Sequence, residues 1–264
     1  MSYVYKRGKF DFNKLVAYKI GKGIEKMIWN PWHGCHKISP GCLNCYMFRR
    51  DAKYNLDSNQ VRKTKSFDMI VKKRRDGNYL VCKNDFVYVC MTSDFFIEEA
   101  DEWRKEVWKM IKKRSDLNFY IITKRIERFY VSLPDDWNEG YFNVTICVTC
   151  ENQKQADRRL PILLDLPIQH KEIICEPMLE EIRLEKYLQT GNIKQVTCGG
   201  ESGNQARICN YDWIISMKEQ CQKFHVSFYF KQTGAKFMKN HKLYLVSRPN
   251  QMKQARKANI NVQF

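Results

Sequence analysis

The sequence predicts an α/β fold with a parallel sheet, and more closely a full or partial (β/α) barrel of the TIM type. Three observations predict it. Short apolar runs alternate with helix-like segments from residue 80 onward, the rhythm of βα units. The runs have the length of strands buried beneath helices. Polar residues stand at the C-terminal end of almost every run, on the rim where barrel sites are built. An open doubly wound sheet is the alternative.

Each element can be justified in turn. An early strand is expected near MIWNPWHG (27–34). NDFVYVCMTSD (84–94) leads into the amphipathic EEADEWRKEVWKMIKKRSD, and LNFYIITKR (117–125) into IERFYVSL. FNVTICVTCEN (142–152) precedes QKQADRRLPILLDL, and KEIICEPM (171–178) precedes EEIRLEKYLQ. KQVTCGGESG (194–203) precedes YDWIISMKEQCQKF, and VSFYFKQTG (226–234) closes the series, its FYF reading as strand core. Residues 66–83, SFDMIVKKRRDGNYLVCK, break the rhythm. Two apolar runs flank RRDGN there, and Asp-Gly is a strong hairpin signal. An inserted β-hairpin is expected, with Lys72, Lys73, Arg74 and Arg75 at its tip. The basic stretch from about 235 to 264 reads as a surface extension or short helix. No linker or low-complexity tract intervenes, so one domain over residues 1–264 is the economical organisation.

Lys and Arg number 46 against 29 Asp and Glu, a net charge of +17. A domain this basic usually has an anionic partner, nucleic acid first. A Lys-rich solvated surface is the plain alternative. Hydrophobic residues make up 44% and aromatic residues 13%, which excludes a disordered composition. No run approaches the roughly 18 apolar residues of a membrane span. The N-terminal MSYVYKRGKFDF has no apolar signal-peptide core. A cytoplasmic chain with no membrane partner is therefore expected. Thiols stay reduced there, and clusters among the 11 cysteines point to metal or redox work. Cys90, Cys147, Cys175 and Cys198 lie in or beside apolar runs and read as small hydrophobes.

Cys35, Cys42 and Cys45 form the one tight cluster, in HGCHKISPGCLNCY (33–46). Pro40 and Gly41 bend the chain before the Cys42–Cys45 pair, which brings Cys35 toward the same centre. Structural zinc wants four ligands, and His33 or His36 can supply the fourth. An iron–sulfur cluster usually takes four cysteines, so three leave one iron open to a cofactor. Spacing alone leaves both metals open.

The pieces WNPWHGCHKISPGCLNCY, CMTSDFF, ITKRIERF, VTCENQKQADRRL, CEPML, GGESG, YDWIISMKEQC and FYFKQTG resemble the phage Gp37/Gp68 family, also called DUF5131 or three-Cys-motif proteins, from about residue 28 to about 234. The resemblance implies a radical-SAM-like enzyme on a barrel of the radical SAM type. It implies a [4Fe–4S] cluster on Cys35, Cys42 and Cys45, with S-adenosylmethionine on the open iron. Reductive cleavage would yield a 5′-deoxyadenosyl radical that abstracts hydrogen from a substrate, for which the positive charge suggests a nucleic acid or nucleotide. This chain departs from the usual radical SAM spacing in its first gap, six residues rather than three. Asn44 replaces an aromatic before the last cysteine, although Tyr46 follows it.

In a barrel the strand-end loops converge on one mouth. A carboxylate there can take the SAM amino group or ribose hydroxyls, and glycines let backbone approach a nucleoside. The cofactor-binding candidates are Ser93, Asp94, Glu151, Asn152, Glu176, Gly199, Gly200 and Glu201, with Asp94, Glu151 and Glu201 foremost. Lys124, Arg125 and Lys231 are the substrate-binding candidates, through phosphate. Plainer readings stand beside these: Asp94 and Asn152 as helix N-caps, GGESG as a turn. A zinc-stabilised nucleic-acid-binding protein without catalysis is the second functional reading. The sequence leaves open the catalytic residues and a partner protein that completes the site.

Overall fold

Each of the seven apolar runs forms a strand of one parallel sheet in the computed structural model, which describes residues 26–83 and 85–264. The N-terminal segment read for a signal peptide lies outside the described residues, as does Asn84. The strands are β1 (Lys26–Trp29), β2 (Phe86–Val89), β3 (Asn118–Thr123), β4 (Val144–Thr149), β5 (His170–Cys175), β6 (Ile193–Gly199) and β7 (Ser227–Gln232). Their order in the sheet is their order in the chain. The winding never reverses, so the doubly wound alternative, which needs a switch point, is set aside. The sheet curls into a half-barrel with β1 and β7 at its edges.

The helices are α1 (Tyr46–Ala52), which follows the loop after β1, α2 (Asp101–Lys113), α3 (Gln153–Asp165) and α4 (Tyr211–Lys223), which cover the convex face, and α5 (Arg248–Lys257), which packs on the edge strand β7. On α2, Arg104, Val107, Trp108 and Ile111 recur at helical spacing and form its buried face. Asn152 caps α3 by accepting the Gln155 N–H at 3.0 Å. The strands are apolar toward the helices, while the opposite face mixes apolar residues with polar ones such as Glu172 and Thr197. Val87, Val89, Ile121, Val148, Ile173 and Phe228 enter the main core under the helices. Phe86, Tyr120, Cys147 and Ile174 form a second cluster with Tyr88 and Ile122, offset by one residue and so on the concave side.

Three expectations change, and a fourth stretch, at the C-terminus, takes its short-helix alternative but packs into the fold. IERFYVSL forms only a 3₁₀ turn, Ile126–Arg128. Its Phe129 joins an aromatic cluster instead, 5.6 Å from Trp137, whose ring lies 5.0 Å from Trp108. EEIRLEKYLQ yields a single helical turn, Glu185–Leu188, because Ile182 and Leu184 are buried before it starts. The hairpin at 66–83 is paired only at its tip, where Lys73 bridges Tyr79. Below the tip Ile70 and Val81 are buried, and their carbonyls both accept from the buried Arg114 guanidinium, so a side chain replaces the ladder. The C-terminal stretch is part of the fold. α5 buries Gln251 and Ala255 against β7, and Val262 bridges Phe228, covering the β7 edge. No helix among the described residues is long and apolar enough to cross a membrane.

Candidate functional site

After β1 the chain crosses the C-terminal rim of the half-barrel before entering α1, and this crossing carries Cys35, Cys42 and Cys45. The buried Trp32 anchors its start, its indole N–H donating to the Asp94 carbonyl at 3.2 Å. Gly34 follows with φ +102°, and a Cβ there would lie 2.5 Å from the Gln60 carbonyl oxygen. Only glycine meets both demands. Its N–H donates to the Thr92 carbonyl at 3.1 Å, and its own carbonyl accepts from the Ser93 hydroxyl. Arg125 donates to the His36 carbonyl at 2.8 Å and lies 3.7 Å from the Cys35 sulfur. The Gly41 N–H donates to Glu151 at 3.0 Å, and the Asn44 amide to Glu201 at 3.0 Å. Tyr46 donates its hydroxyl to the Met91 carbonyl. The rim thus grips the cysteine loop from the ends of β2, β3, β4 and β6.

The foremost carboxylates all have protein partners. Asp94 accepts from the Phe96 N–H at 3.0 Å, the Thr123 hydroxyl at 2.7 Å and the Lys124 N–H at 2.9 Å, and it pairs with Arg125 at 3.3 Å. Glu151 pairs with Arg159 at 2.9 Å, and Glu201 with Arg207 at 2.6 Å. Burial works against the Glu151 carboxylate, but hydrogen bonds from Ser39 and Gly41 and the charges of Arg159 and Lys124 outweigh it and hold the acid below its ordinary range. Glu201 is depressed in the same way, burial being outweighed by Arg207 and Asn44. Glu176 takes Lys231 at 2.6 Å and also the Gln232 amide. Asn152 is the α3 cap. A Cβ on Gly200 would lie 2.2 Å from the Thr233 carbonyl oxygen, so the close approach it permits is to the end of β7; Gly199 sits beside it against Gln232. Of the cations, Arg125 and Lys231 have these acidic partners, and Lys124 lies half-buried within electrostatic reach of Glu151.

Cys35, Cys42 and Cys45 are half-buried, Cys82 is exposed, and the other seven cysteines are buried. The hydrophobe reading of Cys90, Cys147, Cys175 and Cys198 matches that placement. The sulfur of Cys35 lies 3.6 Å from the His36 carbonyl oxygen and that of Cys42 3.8 Å from the Ser39 hydroxyl. His33 is engaged by Asp51 at 2.7 Å and His36 by Glu99. Among the described residues, no three His, Cys, Asp or Glu side chains are gathered into a group that could hold a metal ion. Burial, then the neighbouring Asp94, push the Cys35 thiol up to about 12 despite Arg125. Near pH 8 maleimide is therefore expected to label exposed Cys82 first and Cys35 last among these four, with the Cys35 rate climbing steeply in stronger alkali. Peptide mass spectrometry reads the order, and rapid labelling of Cys35 near pH 8 would contradict it.

Sequence reasoning passed over the concave face. A cavity of about 150 Å³ opens there, walled by Tyr88, Tyr120, Ile122, Tyr229 and Met252, with Glu176 and Lys231 at its edge. Phe228 and Phe230 are core, as expected of FYF, but Tyr229 between them faces the cavity. The signal was the period of two, which sends alternate residues of a covered strand to the other face.

A family model described as "Protein of unknown function (DUF5131)" matches residues 24–261. No curated protein and no solved structure matches the chain.

Proposed function

We propose an activity for this chain, which belongs to the DUF5131 family: a radical-SAM-type iron–sulfur enzyme of the reducing cytoplasm, with its cluster on Cys35, Cys42 and Cys45. One observation carries the reading. The three half-buried thiols share a single loop laid across the C-terminal rim of a parallel half-barrel, where barrel enzymes build their sites.

Three thiols are the donors such a cluster takes, and to hold it they must gather around one centre that they do not share in this structure. Three soft thiols in one loop suit iron–sulfur chemistry, while His33 and His36, each held by a carboxylate at Nε2 alone, keep Nδ1 for the Cys₃His zinc alternative. The contacts that the Cys35 and Cys42 sulfurs make with the protein, at 3.6 to 3.8 Å, are weak ones. A cluster with one iron free of cysteine supplies the reductive cleavage of S-adenosylmethionine. The chain's own groups do the rest. Arg125 lies beside the Cys35 sulfur, where its charge favours the thiolate. Glu151 and Glu201 hold the loop at Gly41 and Asn44. Ser93, Asp94, Asn152, Glu176, Gly199 and Gly200 form the rim against which the cofactor would lie.

The test is anaerobic reconstitution with iron and sulfide. The expected protein is brown, with roughly four irons per chain. It should bind S-adenosylmethionine by calorimetry and release methionine and 5′-deoxyadenosine with dithionite. A colourless chain holding a single zinc overturns the reading in favour of a zinc-stabilised binding protein. A cluster without affinity for S-adenosylmethionine overturns the radical step.

A further inference from the structure

We infer that this chain binds a single-stranded nucleic acid along α5, with one base seated in the tyrosine-walled cavity of the half-barrel. Residues 220–264 contain nine Lys and Arg and no Asp or Glu, so they carry +9 of the chain's +17. Lys223 pairs with Glu185 and Lys231 with Glu176. The seven cations that follow form no ion pair with a carboxylate among the described residues. A merely solvated segment mixes both signs; this one carries positive charge alone, which a polyanion would meet without repulsion from the segment's own side chains.

The surface leads to the cavity. Arg248, Met252 and Arg256 recur every four residues and share one face of α5. Met252 walls the cavity, while Arg248 and Arg256 are exposed on either side of it. The charge of Arg256 acts on Tyr229 inside the cavity. Gln251 and Ala255 take the buried face, so the two arginines are not needed for packing. The hairpin tip is the weaker candidate, because its Lys72 is tied to Asp68 at 3.0 Å.

The cavity sets the kind of strand. At about 150 Å³ it is smaller than the roughly 300 Å³ of the smallest drug-sized pockets, and it suits one planar ring. Tyr88 and Tyr229 provide faces for stacking, which tolerates any base. The Glu176–Lys231 pair at the edge offers an acceptor and a donor to a base edge. A duplex keeps its bases stacked and presents none to a recess without flipping. The inference uses none of the three thiols and shares only Glu176 with the rim of the proposed cofactor site.

Fluorescence anisotropy on the full metal-free chain tests it, with labelled single strands and matching duplexes over a salt series. Single strands are expected to bind more tightly than duplexes, with affinity falling steeply as salt rises. The double variant Arg248→Glu, Arg256→Glu should weaken binding at least tenfold at low salt and flatten the log–log salt slope by roughly one to two. Tyr229→Ala should lose about tenfold on an intact strand and little on an abasic one. Arg74→Glu with Arg75→Glu should leave binding unchanged. Unchanged melting of the arginine variant shows that it folds, and unchanged iron loading separates this loss from any failure of the cluster. No binding at low salt overturns the inference, as does equal affinity for duplex and single strand. Binding to phosphatidylserine vesicles without binding to oligonucleotides also overturns it and assigns the face to a membrane surface.

Discussion

Glu151→Ala is expected to lower the stability of the fold by about 3–5 kcal/mol, the cost of leaving one member of a buried ion pair uncompensated. Glu151 and Arg159 are 0% and 1% exposed. The Arg159 guanidinium has the Thr149 carbonyl at 2.7 Å and this carboxylate at 2.9 Å, and its Nε finds no acceptor among the described residues. Removing the acid strands the cation and frees the Gly41 N–H, loosening the cysteine loop. Glu151→Gln keeps an oxygen for Gly41 without the charge and should fall between. The double variant Glu151→Met, Arg159→Met should recover most of the loss, since an apolar pair of similar volume often replaces a buried ion pair at little cost. The pH dependence has a definite sign. The folded acid is held below its ordinary value of 4.5, so its stabilisation is complete above that value and disappears as pH falls through the depressed one. Acid unfolding of Glu151→Gln should lack that contribution. Urea titrations between neutral and acid pH measure both effects, and a loss under about 1 kcal/mol for Glu151→Ala would deny the pair its place in the core.

Cys35→Ala, Cys42→Ala and Cys45→Ala should each reduce reconstituted iron from roughly four per chain to almost none, because a lost ligand is rarely replaced. Cys82→Ala should load fully, since its thiol is exposed in the hairpin insert. Cys221→Ala should load fully too, at about 1 kcal/mol of stability for the small cavity it leaves in a wholly buried position. Iron and sulfide assays on the five variants make the comparison. Wild-type iron in any one of the first three would remove that cysteine from the ligand set.

The strands and the loop were legible in the sequence by itself. Apolar runs of strand length alternating with helix-like segments mark parallel strands, so the seven runs and the chain's progress through them could be read directly. The turn at Pro40–Gly41 and the short Cys42–Cys45 spacing are local as well. The half-barrel's concave side was not, because an unbroken apolar run conceals which alternate residues, Tyr88, Tyr120 and Tyr229 among them, face inward. Nor were the partners of the rim acids. Glu151 meets Gly41 across 110 residues and Glu201 meets Asn44 across 157, and hydrogen bonds act only over about 3 Å. The same strand-end residue can cap a helix, neutralise an arginine or hold a loop, and which of these it does depends on which loops the curl of the sheet brings alongside. The packing of α5 against β7, which turns a basic tail into one edge of the cavity, was likewise decided only by that curl.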